Sequence, residues 1–225
     1  MTRSRVMTIA GTVGALAVGA VALGLVFRGS YETEQTSTRS FVMPEDFTAV
    51  RKILVRKDGA QQLVAMGGST FLGQQWSGGG VDVGAVTLLD PKWRLDLHGT
   101  LKVRTQDDYV GQQDIALEQD VVIEPDFLHS EVELDKPAER LRDYRMTTHF
   151  SRAESAARAG ADGASGTRVE LKLSQRILTD APWFAHRIAD RRVLASVERT
   201  LENQEAAIRK LVAENIDDVP LLPLR

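Results

Sequence analysis

Apolar and polar residues alternate with period two through much of the chain beyond residue 93, the pattern expected of strands with one buried face. Trp93, Leu95, Leu97, Leu101 and Val103 hold odd positions there, while Arg94, Asp96, His98, Lys102 and Arg104 hold even ones. The alternation returns at Ile115, Leu117, Val121 and Ile123, then at Leu128, Val132 and Leu134. It returns again at Tyr144, Met146 and Phe150, and at Val169, Leu171, Leu173 and Ile177. With residues 31–41 and a short piece at 70–76, about seven strands are predicted. Short polar turns join most of them in sequence, which implies an antiparallel meander.

Three segments change to helical spacing. Pro44, Glu45 and Asp46 place a proline and acids at the first turn of one helix, with Phe47, Val50, Ile53 and Leu54 as its apolar side. A short helix is expected over residues 59–66. The longest is predicted from Asp180 and Pro182, a capping acid and a first-turn proline, to about Asn215. Its Val193, Leu194, Val197, Leu201, Ile208, Leu211 and Val212 fall on one face. Residues 217–225 read as an irregular tail.

A third pattern opens the chain. Residues 7–27 carry no charge, and Arg3 and Arg5 precede them while Arg28 follows. At ~1.5 Å per residue the run is ~31 Å long as a helix, which matches the ~30 Å hydrocarbon core of a bilayer. Ala20-Val21-Ala22 also offers the small-x-small pattern of a cleaved secretory signal. Such signals have apolar stretches of only ~7–15 residues, however, and this one continues to Phe27, so a retained anchor is expected. Arg3, Arg5 and the amino terminus lie before the span, whereas Arg28 after it is followed by Glu32 and Glu34. That asymmetry puts the amino terminus in the cytoplasm and the domain on the outer or periplasmic side. Gly11, Ala15 and Gly19 have the small-xxx-small spacing of paired membrane helices, a possible homodimer contact that a Gly- and Ala-rich segment also produces by chance.

The predicted organisation is therefore an anchor at residues 1–28 and one soluble domain at 29–225, with its core at about 31–214 and a tail at 216–225. Glycine-rich stretches at 77–84 and 159–166 read as surface loops and fit no phosphate-binding motif. Beyond the anchor there are 25 basic and 31 acidic residues, a balance of −6. This disfavours nucleic acid as a partner. The chain has no cysteine, which removes disulfides, thiolate metal sites and cysteine nucleophiles.

The order of elements is a strand, two short helices, six antiparallel strands and a long amphipathic helix. It resembles the START-like superfamily, the SRPBCC-type polyketide cyclase and lipid-transport group, over roughly residues 31–214. The most family-like pieces are Gly166-Thr167-Arg168-Val169-Glu170-Leu171-Lys172-Leu173 and the helix from Trp183 onward. The resemblance implies an α+β helix-grip fold, a curved antiparallel sheet around the last helix with an apolar cavity between them. It further implies a lipid or other hydrophobic small molecule as ligand.

The inward parity of the strands nominates Leu95, Leu97, Leu101, Leu117, Val121, Met146, Val169, Leu171 and Leu173 as cavity residues, although the same residues would fill a solid core equally well. Gln119 and Gln175 share that parity. A buried amide needs partners, which a ligand or neighbouring side chains can supply. Catalytic signals are sparse. His98, His129 and His149 have outward parity, while His186 and Asp190, four residues apart on the last helix, could form a base with its orienting carboxylate. The alternative is a helix-surface pair where Phe184 and Ile188 provide the packing. No HExxH, clustered acids or GxSxG motif is present, so neither a metal nor any other cofactor is expected. Three readings remain: a membrane-anchored, non-catalytic binding module, a cyclase or dehydratase using the same cavity, and an envelope interaction protein with a filled interior.

Overall fold

The computed structural model describes residues 29–56, 59–77, 94–107, 111–153 and 166–218. The expected membrane segment at 7–27 and most of both glycine-rich stretches lie outside the described residues. Among the described residues no helix is long and apolar enough to cross a membrane.

Seven strands form one antiparallel sheet: β1 (Tyr31–Met43), β2 (Thr70–Ser77), β3 (Leu95–Asp107), β4 (Gly111–Ile123), β5 (Phe127–Leu134), β6 (Leu141–Arg152) and β7 (Thr167–Thr179). Their order is β1-β7-β6-β5-β4-β3-β2, so β2 to β7 run as a meander and β1 closes the far edge against β7. The predicted parity holds well in β7, where Val169, Leu171, Leu173, Gln175 and Ile177 are buried while Arg168, Glu170, Lys172 and Arg176 are exposed. In β6 a register shift between Leu141 and Asp143 changes the parity. Leu141 stands an odd number of residues from Tyr144 and Met146, yet it turns inward with them and is 3 % exposed.

Two short helices, α1 (Phe47–Leu54) and α2 (Gly59–Met66), connect β1 to β2. Asp46 is the N-cap of α1, its side chain accepting from the Thr48 N–H at 2.8 Å. Pro44 and Glu45 therefore precede the helix rather than fill its first turn, because Asp46 holds an extended backbone (ψ 137°). At the end of α2, Gly68 has φ +88°. Ser69 N–H bonds back to Val64 O and Gly68 N–H to Ala65 O, both at 3.2 Å. This pair of bonds makes a Schellman cap that needs a left-handed residue at its centre, which glycine adopts without strain.

The long helix α3 spans His186–Asn215. Its predicted start is one turn early: Pro182 leads into a 3-10 turn at Trp183–Ala185, and Asp180 pairs with Arg140 at 2.8 Å instead of capping a helix. Ala189, Val193, Val197, Leu201, Ile208, Leu211 and Val212 of α3 are buried, and the helix packs chiefly on β1, then on α2 and β7. The main core joins Val197, Leu201, Ile208 and Leu211 to Phe41 and Met43 of β1, Phe47, Val50 and Ile53 of α1, and inward residues of β3 to β7. Arg39 of β1 pairs with Glu205 and Glu202 of α3, fixing the helix along that strand. Sheet, capping helices and long helix together make a helix-grip architecture.

Candidate functional site

The interior is not filled throughout. A cavity of about 220 Å³ lies between the sheet and α3, toward the end where α2 passes into β2. Val103 of β3, Ile115 and Leu117 of β4 and Leu141 of β6 form its apolar floor. Tyr144 of β6 and Gln175 of β7, register partners on adjacent strands, enter from the sheet. Ser196, Arg199, Thr200 and Asn203 of α3 line the opposite side, and Gly67, Gly68 and Ser69 at the end of α2, with Thr105 of β3, complete the rim. Arg199 and Asn203 are exposed, so the cavity meets solvent at its polar end.

Local sequence accounts for this mixture. The buried stripe of α3 is interrupted by Ser196 and Thr200, one turn apart, between Val193 and Leu201. Ser196 is 3 % exposed, and Thr200 returns its hydroxyl to the Ser196 carbonyl at 2.9 Å. Small residues there leave space that a Leu would fill. The glycine pair that ends α2 adds no side chains of its own to the rim.

Tyr144 is the most distinctive group. Its ring packs against both clusters of the core, and the surface it retains faces the cavity. Its hydroxyl points to Met146 Sδ at 3.4 Å, a weak acceptor. Burial pushes the phenol up to about 12, which keeps it protonated and able to donate throughout the physiological range. Gln175, 8 % exposed, adds an amide with both donor and acceptor.

The sequence-nominated residues divide. Leu117 and Gln175 line the cavity. Leu95, Val121, Met146, Val169, Leu171 and Leu173 instead pack into the solid main core, and Leu97 sits partly buried against it. Leu101 is buried in the smaller cluster around the cavity without lining it. Gln119 finds protein partners: its Oε1 accepts from Gln74 Nε2 at 2.8 Å and its Nε2 reaches Ser130 Oγ at 3.5 Å.

His186 and Asp190 are not brought together as a base and its orienting group. The Asp190 carboxylate accepts from Thr33 Oγ1 at 2.7 Å and from Tyr31 Oη at 3.0 Å. The His186 ring stacks on Tyr31, with centroids 3.7 Å apart. Neither lines the cavity, and Phe184 and Ile188 beside them are more than half exposed rather than packed. Among the described residues no group of three potential ligands could hold a metal.

Sequence reasoning missed Val103, Ile115, Leu141 and Tyr144 on the sheet, Ser196, Thr200, Arg199 and Asn203 on α3, and Thr105 and the α2 terminus at the rim as cavity residues. The helix side did carry a signal, since Ser196 and Thr200 break an apolar stripe at helical spacing. Leu141 carried none, because only the register shift turns it inward.

No family model matches the sequence, and no curated protein matches it. Solved structures do match. A protein of unknown function from Staphylococcus aureus is 9 % identical with a TM-score of 0.51, over 83 % of this chain and 98 % of that one. Ara h 8.0201 is 14 % identical with a TM-score of 0.44, over 83 % of this chain and 100 % of that one. A norcoclaurine synthase from Thalictrum flavum is 12 % identical with a TM-score of 0.45, over 82 % of this chain and 98 % of that one.

Proposed function

We propose, for a chain whose fold is the START-like helix grip, that it is a membrane-anchored, non-catalytic module binding one small hydrophobic molecule with a polar end. The observation that carries this reading is the cavity of about 220 Å³, apolar at its floor and polar at its mouth. Its volume sets the ligand class. An apolar cavity of ~150 Å³ accepts benzene, whereas drug-sized ligands occupy ~300–1,000 Å³. A molecule built on one ring or a short aliphatic body fits, and a sterol or whole diacyl lipid does not. Val103, Ile115, Leu117 and Leu141 would take the apolar body, while Tyr144 and Gln175 would hydrogen-bond its polar group.

The anchor at residues 7–27 supports the reading by raising the domain's effective concentration beside a hydrophobic pool, with the domain on the outer or periplasmic face. Cyclase or dehydratase chemistry in the same cavity has one favourable feature, the Tyr144 phenol. A phenol near 12 is a hydrogen-bond donor rather than a general acid matched to neutral pH, and among the described residues no histidine or carboxylate lines the cavity beside it. Binding is therefore the preferred activity.

The test is native mass spectrometry of the full chain in mild detergent, purified from its own host, followed by organic extraction. Near one small amphipathic molecule per chain, absent from Leu117→Trp, is expected. An empty chain in repeated preparations, or a bound species of diacyl-lipid size, would overturn the reading.

A further inference from the structure

We infer that Trp183, Phe184 and Ile188 form a membrane-interface contact that seats the domain directly on the bilayer. These are among the most exposed large apolar residues described, at 73 %, 53 % and 55 %. They lie together on the 3-10 turn and first turn of α3, with the Trp183 and Phe184 rings edge to face at 5.8 Å. At 100° per residue Ile188 stands opposite the buried Ala189-Val193-Val197 side. The exposed Arg191 and Arg192 flank it one turn on, and the exposed Arg187 precedes it.

The occupant follows from where the chain comes from. Tyr31 pairs with Thr179 where β1 starts and β7 ends. Gly29 lies against Ala181 and Pro182, so close that a side-chain carbon there would stand 3.2 Å from Pro182 Cα. Trp183 is the next residue. The uncharged run ends at Phe27, two residues before Gly29, and two residues span at most ~7 Å. The interfacial zone on each side of a bilayer is ~5–8 Å deep, given a core of ~30 Å and a total of ~40–45 Å. If residues 7–27 cross the bilayer, Gly29 is held at that zone, and the patch stands beside it.

The chemistry suits the location. Tryptophan and other amphipathic aromatics concentrate at the headgroup level, and arginines beside an apolar surface attract anionic lipids. Arg187, Arg191 and Arg192 supply that charge. The nearby acids are engaged, Asp180 by Arg140 and Asp190 by Tyr31 and Thr33. An acidic domain thus turns its basic, aromatic corner toward the surface where its chain emerges.

The inference rests on the anchor part of the proposed function, and one experiment separates the two. The full chain carrying W76F and W93F, with Trp183 as sole tryptophan, is reconstituted into phosphatidylcholine/phosphatidylglycerol vesicles whose acyl chains are brominated near the carbonyl end. Co-flotation reads the anchor, and Trp183 emission reads the patch. Flotation with blue-shifted, strongly quenched emission is expected, weakening when R191E and R192E are added. Flotation with water-like, unquenched emission overturns the interface contact alone. Blue-shifted but unquenched emission also overturns it, since protein rather than lipid would then cover the patch. Failure to float overturns both. Should the double variant not fold by circular dichroism, the difference in quenching between the unmodified chain and W183F reads the same residue, which is largely outside the core.

Discussion

Tyr144 and Gln175 give the cavity its polarity, and each makes a distinct expectation. Removing the hydroxyl in Tyr144→Phe leaves the ring packed, and the lost bond to Met146 Sδ is weak, so thermal stability should change little. If the phenol donates to the ligand, affinity for the extracted molecule should fall about tenfold, the effect of losing ~1–1.5 kcal/mol in a hydrogen bond. Titration calorimetry of both proteins reads this. The histidines outside the cavity should diverge by NMR. The hydrogen bond and charge of Asp120 raise His98 above 6.5, whereas burial and the neighbouring His129 lower His149. The signs are opposite. His98 contributes stability that is full below about pH 6.5 and lost as pH rises through its raised value. His149 subtracts stability as pH falls below about 6.5, because the unfolded chain takes that proton first. The reverse order of the two titrations would contradict both environments. At this scale parity in the sequence located Gln175 and Leu117 but not Tyr144's role, because parity says which way a side chain points and not whether space lies beyond it.

Elements were far more legible than the site. Seven strands and three helices follow from period-two and helical patterning, since burial of one face is a property of each segment by itself. The start of α1 was displaced by a local cap at Asp46, and that of α3 by a tertiary partner. Asp180 reads as a cap but is taken by Arg140, and the inward turn of Leu141 depends on a register shift that no parity pattern carries. Two substitutions check the element account by urea unfolding. Asp46→Ala removes the α1 cap and should cost about 1 kcal/mol. Leu171→Ala, in the main core, should cost about 2–5 kcal/mol. It should leave ligand uptake intact in the folded fraction, because Leu171 does not line the cavity.

In the whole molecule, solid packing and open space occupy different ends of the same grip. The main core around Leu171, Leu173, Leu201 and Ile208 holds α3 against the sheet, and the cavity opens where Ser196 and Thr200 interrupt that contact. The sequence hid this division because its apolar strands serve both ends, and the volume left over depends on residues far apart in the chain. A single measurement addresses it most directly: methyl-labelled NMR of the full chain in detergent micelles, titrated with p-cresol as a one-ring probe with a polar end. Saturable shifts confined to Val103, Ile115, Leu117 and Leu141, and lost in Leu117→Trp, are the predicted result. Saturable shifts centred on Leu171, Leu173 and Leu201, or none at any of these methyls, would contradict the account.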